Sequence, residues 1–208
     1  MKTTVLYLII SLFALVRLVL HFKPDLLPEM APESKAKITD VIDSLVSAGV
    51  VALLLVHFLV RPFYIPSRSM VPTLLVNDLL LVNKMIFNFT GPTRGDIVVF
   101  NTDTSLLGKT PPLIKRVVAL ENDKIEVKAG QVLLNDQVLE EPFIKAEEIL
   151  DEFEAFVVPE GHIFVMGDNR NNSKDSRYIG PVRVDRLIGR AEVIIFPPNR
   201  ITSFNFPK

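Results

Sequence analysis

Apolar positions along the chain fall into two regimes. Residues 4–22, TVLYLIISLFALVRLVLHF, and 45–60, LVSAGVVALLLVHFLV, are long apolar runs whose only charged or imidazole side chains are Arg17, His21 and His57. A helix crosses the hydrocarbon core in roughly 20 mostly apolar residues, about 17 at the least. The first run meets that length, and the second reaches it by borrowing Ser44 and its C-terminal flank. The pattern predicts two membrane-spanning helices, about 4–22 and 44–61. Buried core helices are the alternative, but the remaining sequence is too rich in strands to wrap them.

From Phe63 onward the period shortens. DLLLVNKMIF, GDIVVFNT, LIKRVVAL, KIEVKAGQVLLNDQVL, HIFVMGD and RAEVIIF are short β-rich runs punctuated by Gly, Pro, Asn and Asp. Asn135-Asp136 predicts a tight hairpin turn, since both residues tolerate positive φ. IKAEEILDEFEAF is a short helix or a loop. Two packed antiparallel sheets, or a partly open barrel, fit these elements. The expected organisation is therefore mainly β: a membrane anchor over 1–61 and an extracytoplasmic β-rich domain over 62–208, with the boundary at Arg61-Pro62.

Composition narrows the function. Net charge is −1 and both signs are well mixed, so no nucleic-acid partner is expected. The absence of cysteine removes thiol catalysis, disulfides and Cys-based zinc sites. No small-x-small site follows the first apolar run, which ends Leu18-Val19-Leu20-His21, so an anchor is expected there and not a cleaved leader. Lys23, Lys35 and Lys37 favour a cytoplasmic loop between the two spans, with both termini on the far side, although Arg61 opposes this.

The chemistry centres on IPSRSMVPTL, residues 65–74. Two of the three histidines, His21 and His57, lie in the apolar runs, and His162 sits at a turn before a strand, so a Ser-His-Asp arrangement is not expected. No metal-ligand spacing such as H-E-x-x-H is present. A lysine can act as base if it is held neutral, which costs about 4.6 kcal/mol at pH 7 from an ordinary value near 10.4. Burial supplies such a shift. Lys115, in PLIKRVVAL, is the best candidate, although the segment alone would also suit a surface lysine on a strand's polar face. The polar stretch MGDNRNNSKDSRYIGPV, residues 166–182, reads as a salt-bridged scaffold able to support a nucleophile and base.

Together these boxes resemble type I signal peptidases, the membrane-bound Ser/Lys proteases that remove signal peptides. An apolar span precedes IPSRSMVPTL, then come PTRGDIVVF, LIKRVVAL and MGDNRNNSKDSRYIGPV, in the family's order, over about residues 61–196. The resemblance implies that Ser69 is the nucleophile and Lys115 the general base. It implies an oxyanion hole from the Ser67 hydroxyl and the Ser69 N–H, and a role for Ser173 in orienting the lysine. Asp175 with Arg177, and Asp168 with Arg116, are implied as supporting ion pairs. Phe63, Ile65, Pro66, Met70, Leu74, Leu113 and Ile114 are implied to line shallow pockets for small residues at −3 and −1 of the cleavage site. The implied partners are preprotein signal peptides and the lipid bilayer, with no metal or cofactor, in a bacterial inner membrane or a thylakoid. The short stretch between Lys115 and Gly167 implies a small inserted subdomain at about 120–160.

On an extended strand Ser67 and Ser69 would share a side. Ser69 is eight residues past Arg61, within about 28 Å of the membrane edge even if fully extended. Two positions depart from the family pattern. Arg68 stands between the serines where a small residue is usual, and is expected to face away from them. Asn122 replaces a glycine, a substitution that positive φ still tolerates. A related Ser/Lys protease with another task, and a membrane-anchored scaffold without activity, remain as alternatives.

Overall fold

The computed structural model describes residues 11–12, 15–16, 18, 32–54, 59–102, 111–142, 144 and 148–204. The chain divides into two units, Met1–Leu59 and Val60–Lys208. The first contains helix α1, Pro32–Leu54. Proline suits a first helical turn, where its missing N–H has no partner to lose, and Glu33 complements the helix dipole there. Among the described residues no helix is long and apolar enough to cross a membrane. Of the predicted span at 4–22 only 11–12, 15–16 and 18 are described, and these are helical. Of the span predicted at 44–61, residues 44–54 end α1 and 55–58 lie outside the described residues. α1 also takes in 32–43, which had been assigned to the loop.

Val60 and Arg61 are in a strand, not a helix. β1 (Val60–Tyr64) pairs antiparallel with β2 (Leu79–Asn83), from Val60↔Asn83 to Tyr64↔Leu79. Pro62 is accommodated because β1 is an edge strand. The other strands are β3 (Ile97–Phe100), β4 (Leu113–Ala119), β5 (Lys124–Lys128), β6 (Gln131–Leu134), β7 (Gln137–Val138), β8 (Phe153–Val157), β9 (His162–Met166), β10 (Val182–Arg183), β11 (Leu187–Phe196) and β12 (Thr202–Ser203). An eight-stranded sheet runs β1-β2-β11-β3-β4-β9-β10, with β12 on β11, and a four-stranded sheet runs β7-β6-β5-β8. The fold is mainly β and antiparallel. The large sheet is open, since β1 and β10 are its two ends.

The uninterrupted apolar run of β3 has a direct cause. Ile97 and Val99 pack with Ile65, Met70, Leu74, Leu80 and Val82, while Val98 and Phe100 pack with Val117, Ile163 and Val165. Both faces of the sheet are buried here, so the alternation of a half-exposed strand disappears. A third cluster, with Val118, Ile125, Val132, Leu134, Phe164 and Met166, ties the small sheet to β4 and β9. The hairpin turn has Asn135 at φ 53° and Asp136 at φ 66°, and Asn122 has φ 65°. β8 takes in Phe153–Phe156, the end of the segment whose pattern suits a helix or a loop, and is strand because it completes the small sheet against β5.

One ion pair fixes the loop that carries both serines. Ile65 N donates to Asp78 O and Asn77 N to Ile65 O, each at 3.0 Å, closing the loop at its neck. The buried Asp78 carboxylate accepts from Leu75 N at 2.8 Å and from Arg200 Nε and Nη2, each at 2.9 Å. Arg200 also donates to Thr73 O at 3.1 Å. Removing one partner leaves a buried charge uncompensated, a cost of roughly 3–5 kcal/mol for a fully buried pair. The Arg200 side chain is 27% exposed. Arg200→Ala is therefore expected to cost about 2 kcal/mol, below that range because solvent reaches the pair. Urea unfolding followed by circular dichroism checks it.

Candidate active site

The loop that carries Ser67 and Ser69 is built by its apolar residues. Ile65, Met70 and Leu74 are buried at 2%, 0% and 0% exposure and pin residues 65–74 to the core. Between those anchors the chain bends and turns, with Val71 N donating to Arg68 O at 3.2 Å and Leu74 N to Met70 O at 2.9 Å. The expectation of an extended strand through Ser67–Ser69 is therefore corrected. The turn still brings the two hydroxyls together, with Ser67 Oγ 3.3 Å from Ser69 Oγ.

Lys115 arrives on β4, 46 positions away in sequence, and is 3% exposed. Its Nζ lies 2.8 Å from Ser69 Oγ and donates to Ile114 O at 2.8 Å. Burial lowers the Lys115 amine from 10.5 to about 8, against the opposing pull of the Asp175 and Asp168 carboxylates. Burying an ammonium without a full ionic partner favours the neutral amine, which has the lone pair a base needs. His162 is elsewhere in the sheet, paired in register with Arg183 and with its Nδ1 2.8 Å from Glu160 O.

The stretch 166–182 forms the wall behind the pair. Asp168 accepts from Arg116 Nε at 2.8 Å and Nη2 at 2.7 Å, with both side chains buried. Arg116 also donates to Gly95 O at 2.9 Å and lies 3.4 Å from Thr73 Oγ1. Asp175 caps helix α2 (Ser176–Ile179), accepts from Arg177 Nε at 2.9 Å and Nη2 at 3.0 Å, and accepts from Gly167 N at 2.9 Å. Ser173 Oγ is buried with no hydrogen-bond partner among the described residues, so it makes no bond to Lys115 here.

The apolar residues expected to line substrate pockets divide. Phe63 and Ile114, half-buried, pack with Ile65, Met70 and Leu74 in one cluster. Met70 and Leu74 have no exposed surface and belong to the core, so they support the site from beneath. Leu113 packs with the opposite cluster, because successive side chains of β4 point to opposite faces. Pro66 is exposed.

Backbone contacts that sequence reasoning missed come from Gly167 and Asn169. Asn169 N donates to Ser69 O at 3.1 Å, and Asn169 Nδ2 to Arg68 O at 3.1 Å. A Cβ on Gly167 would lie 2.2 Å from Ser173 Oγ and 2.5 Å from Ser69 O. Gly167→Ala must therefore push the 167 backbone apart from Ser173 and the Ser69 backbone. A misplacement near 1 Å can cost about 100-fold, and at least that loss of kcat is expected in a turnover assay of the folded variant.

Comparison with known proteins gives the family. The profile of the family "Signal peptidase, peptidase S26" matches residues 38–196. The chain belongs to the signal peptidase family. Its reaction is thus peptide-bond hydrolysis by a serine peptidase with the family's Ser/Lys mechanism, on preprotein signal peptides. Among relatives, the signal peptidase I of Leptolyngbya laminosa is 39% identical over 180 residues, covering 85% of this chain and 88% of its own. A probable thylakoidal processing peptidase 2 from the chloroplast of Arabidopsis thaliana is 41% identical over 160 residues, covering 75% of this chain and 43% of its own. A crystal structure of a signal peptidase I from Enterococcus faecalis aligns with a TM-score of 0.40 and 28% identity, covering 49% of this chain and 97% of that one.

Proposed function

We propose that Ser69 is the nucleophile and Lys115 the general base of this signal peptidase, and that the enzyme cuts after a small residue at −1, with another at −3. The observation that carries this reading is the 2.8 Å approach of the buried Lys115 Nζ to Ser69 Oγ. The neutral amine takes the proton of Ser69 as Oγ attacks the scissile carbonyl carbon. The carbonyl π electrons move to oxygen, and the resulting oxyanion is held by the Ser69 N–H and the Ser67 hydroxyl. Collapse breaks the C–N bond, and Lys115 returns its proton to the departing amine. An ester on Ser69 remains. Lys115 then deprotonates a water, which attacks that ester and releases the signal peptide's carboxylate and free Ser69.

The supporting roles follow from burial. Asp168 with Arg116, and Asp175 with Arg177, hold the wall at 166–177, and both carboxylates also favour the Lys115 ammonium formed during the reaction. Ser173 is proposed to orient the lysine when substrate closes the site, which would use its unpartnered hydroxyl. Phe63, Pro66 and Ile114 are proposed to line the substrate side, with Ile65, Met70 and Leu74 beneath them. Two apolar spans, at 4–22 and from residue 44, anchor the enzyme with its catalytic domain outside the cytoplasm. Relatives named from bacteria and from chloroplasts support a bacterial inner membrane or a thylakoid as the site.

The test is cleavage of a purified preprotein carrying Ala at −3 and −1 by detergent-solubilised enzyme, with products weighed by intact-mass spectrometry. A single cut after −1, abolished when −1 becomes Phe, is expected. Cutting that ignores the −1 residue would overturn the specificity reading.

A further inference from the structure

The four-stranded sheet is joined to the catalytic wall by polar contacts from the segment between β7 and β8. Glu141 binds Arg170 through both carboxylate oxygens, Oε1 to Nη2 at 2.7 Å and Oε2 to Nη1 at 2.6 Å. Their side chains are only 10% and 4% exposed. Further along, Asn171 Nδ2 donates to Glu148 O at 2.9 Å, Leu150 N donates to Asn171 Oδ1 at 3.0 Å, and the Tyr178 hydroxyl donates to Asp151. Beneath this segment lies an open cavity of about 420 Å³, lined by residues such as Val132, Leu139 and Ile149. Leu139 and Ile149 tie the described parts of this segment to the core of the small sheet, with Leu139 N donating to Val132 O at 2.9 Å and Ile149 N to Gly130 O at 3.1 Å, while the polar contacts above tie it to the catalytic wall.

Arg170 carries the contact onward. Its Nε donates to Gly167 O at 3.1 Å, and its own carbonyl accepts from Arg177 Nη2 at 2.6 Å. A carboxylate that grips both terminal nitrogens fixes the plane of the guanidinium, and hence the direction of Nε. Gly167 packs close to Ser69 O, which a Cβ at that position would approach to 2.5 Å, and the same oxygen accepts from Asn169 N at 3.1 Å. The chain of contacts is continuous from Glu141 through Arg170 to the backbone at 167–169, and from there to the carbonyl of Ser69.

We infer that Glu141 is a positioning residue for catalysis: by orienting Arg170 it holds the 167–169 backbone against Ser69, so the small sheet sets the register of the nucleophile. The inference rests on Ser69 and Lys115 being the reacting pair. The substrate is not touched by Glu141, so the loss falls on kcat and not on KM.

Glu141→Ala, Glu141→Gln, Arg170→Met and the double variant Glu141→Ala/Arg170→Met are compared with wild type on the preprotein substrate, with circular dichroism reporting folding. Glu141→Ala is expected to lower kcat by about 30-fold or more, because small displacements of a reacting group are costly, and to leave KM within about threefold. Glu141→Gln, which keeps the shape but loses the charge, should fall between wild type and Glu141→Ala. The double variant should lose no more than Arg170→Met alone, since residues acting through one another are not additive. Wild-type kcat in folded Glu141→Ala, or losses that multiply in the double variant, would overturn the inference. If Glu141→Ala does not fold, Glu141→Gln decides: unchanged kcat overturns the inference, and lowered kcat at unchanged KM upholds it. Ser69→Ala run alongside separates the two levels. Activity in that variant sinks the nucleophile assignment itself, whereas an inactive Ser69→Ala with a fully active Glu141→Ala sinks only the role of Glu141.

Discussion

Ser69→Ala is expected to lower kcat by about a million-fold, the scale seen when a serine nucleophile is removed. Ser67→Ala is expected to lose only about 100- to 1000-fold, the scale for one oxyanion donor. The contrast matters because the two hydroxyls are 3.3 Å apart and the sequence is nearly symmetric about Arg68. What separates them is Lys115, whose amine lies 2.8 Å from Ser69 Oγ. Single-turnover cleavage of the preprotein by each variant measures the ratio. Equal losses in the two variants would mean that the lysine contact does not identify the nucleophile.

Lys115→Met should be nearly as inactive as Ser69→Ala, because a nucleophile without its base fails as a unit. It should also be more stable at neutral pH. The folded Lys115 amine titrates at about 8 against 10.5 ordinarily, because burial penalises its charged form. Between these values the unfolded chain binds a proton that the folded chain does not, so stability rises with pH across that window. Below about pH 8 the buried charge costs roughly 3 kcal/mol. Methionine fills similar volume without the charge. It forfeits the hydrogen bonds to Ser69 and Ile114, each worth about 1 kcal/mol, and the net gain at pH 7 is on the order of 1–3 kcal/mol. A variant that is both inactive and stabilised separates a catalytic lysine from a structural one. Urea midpoints at pH 7 and pH 10 check it: the advantage of the variant should shrink at the higher pH.

Much of the fold could be read from the sequence because its strands are short, apolar and bounded by turn formers. The short apolar run at 97–100 is bounded by turn formers, and the hairpin at Asn135-Asp136 depends on the tolerance of both residues for positive φ. The errors came where tertiary pairing decides. Val60 and Arg61 close the predicted second span yet join β1, because β2 offers them hydrogen-bond partners. The segment ending at Phe156 has no decisive pattern of its own, because pairing with β5 determines its strand. At the site, the spacing of Ser67 and Ser69 suggested a shared side for the wrong reason: a turn, not a strand, brings the hydroxyls together. Leu113 was grouped with Ile114 although β4 sends them to opposite faces. Glu141 could not be singled out at all. It meets Arg170 across 29 positions, and a lone glutamate carries no mark of the ion pair it will form.

The most direct measurement of the central claim is the pH dependence of kcat/KM for preprotein cleavage, since this quantity reports the essential groups of the free enzyme. If Lys115 is the base, the rate should rise through a single limb centred at about 8, where burial holds its amine, so that activity at pH 7 is roughly one tenth of the alkaline plateau. His162→Gln should leave that limb in place. A limb that disappears in His162→Gln, or a rate independent of pH between 7 and 9, would contradict the assignment of Lys115.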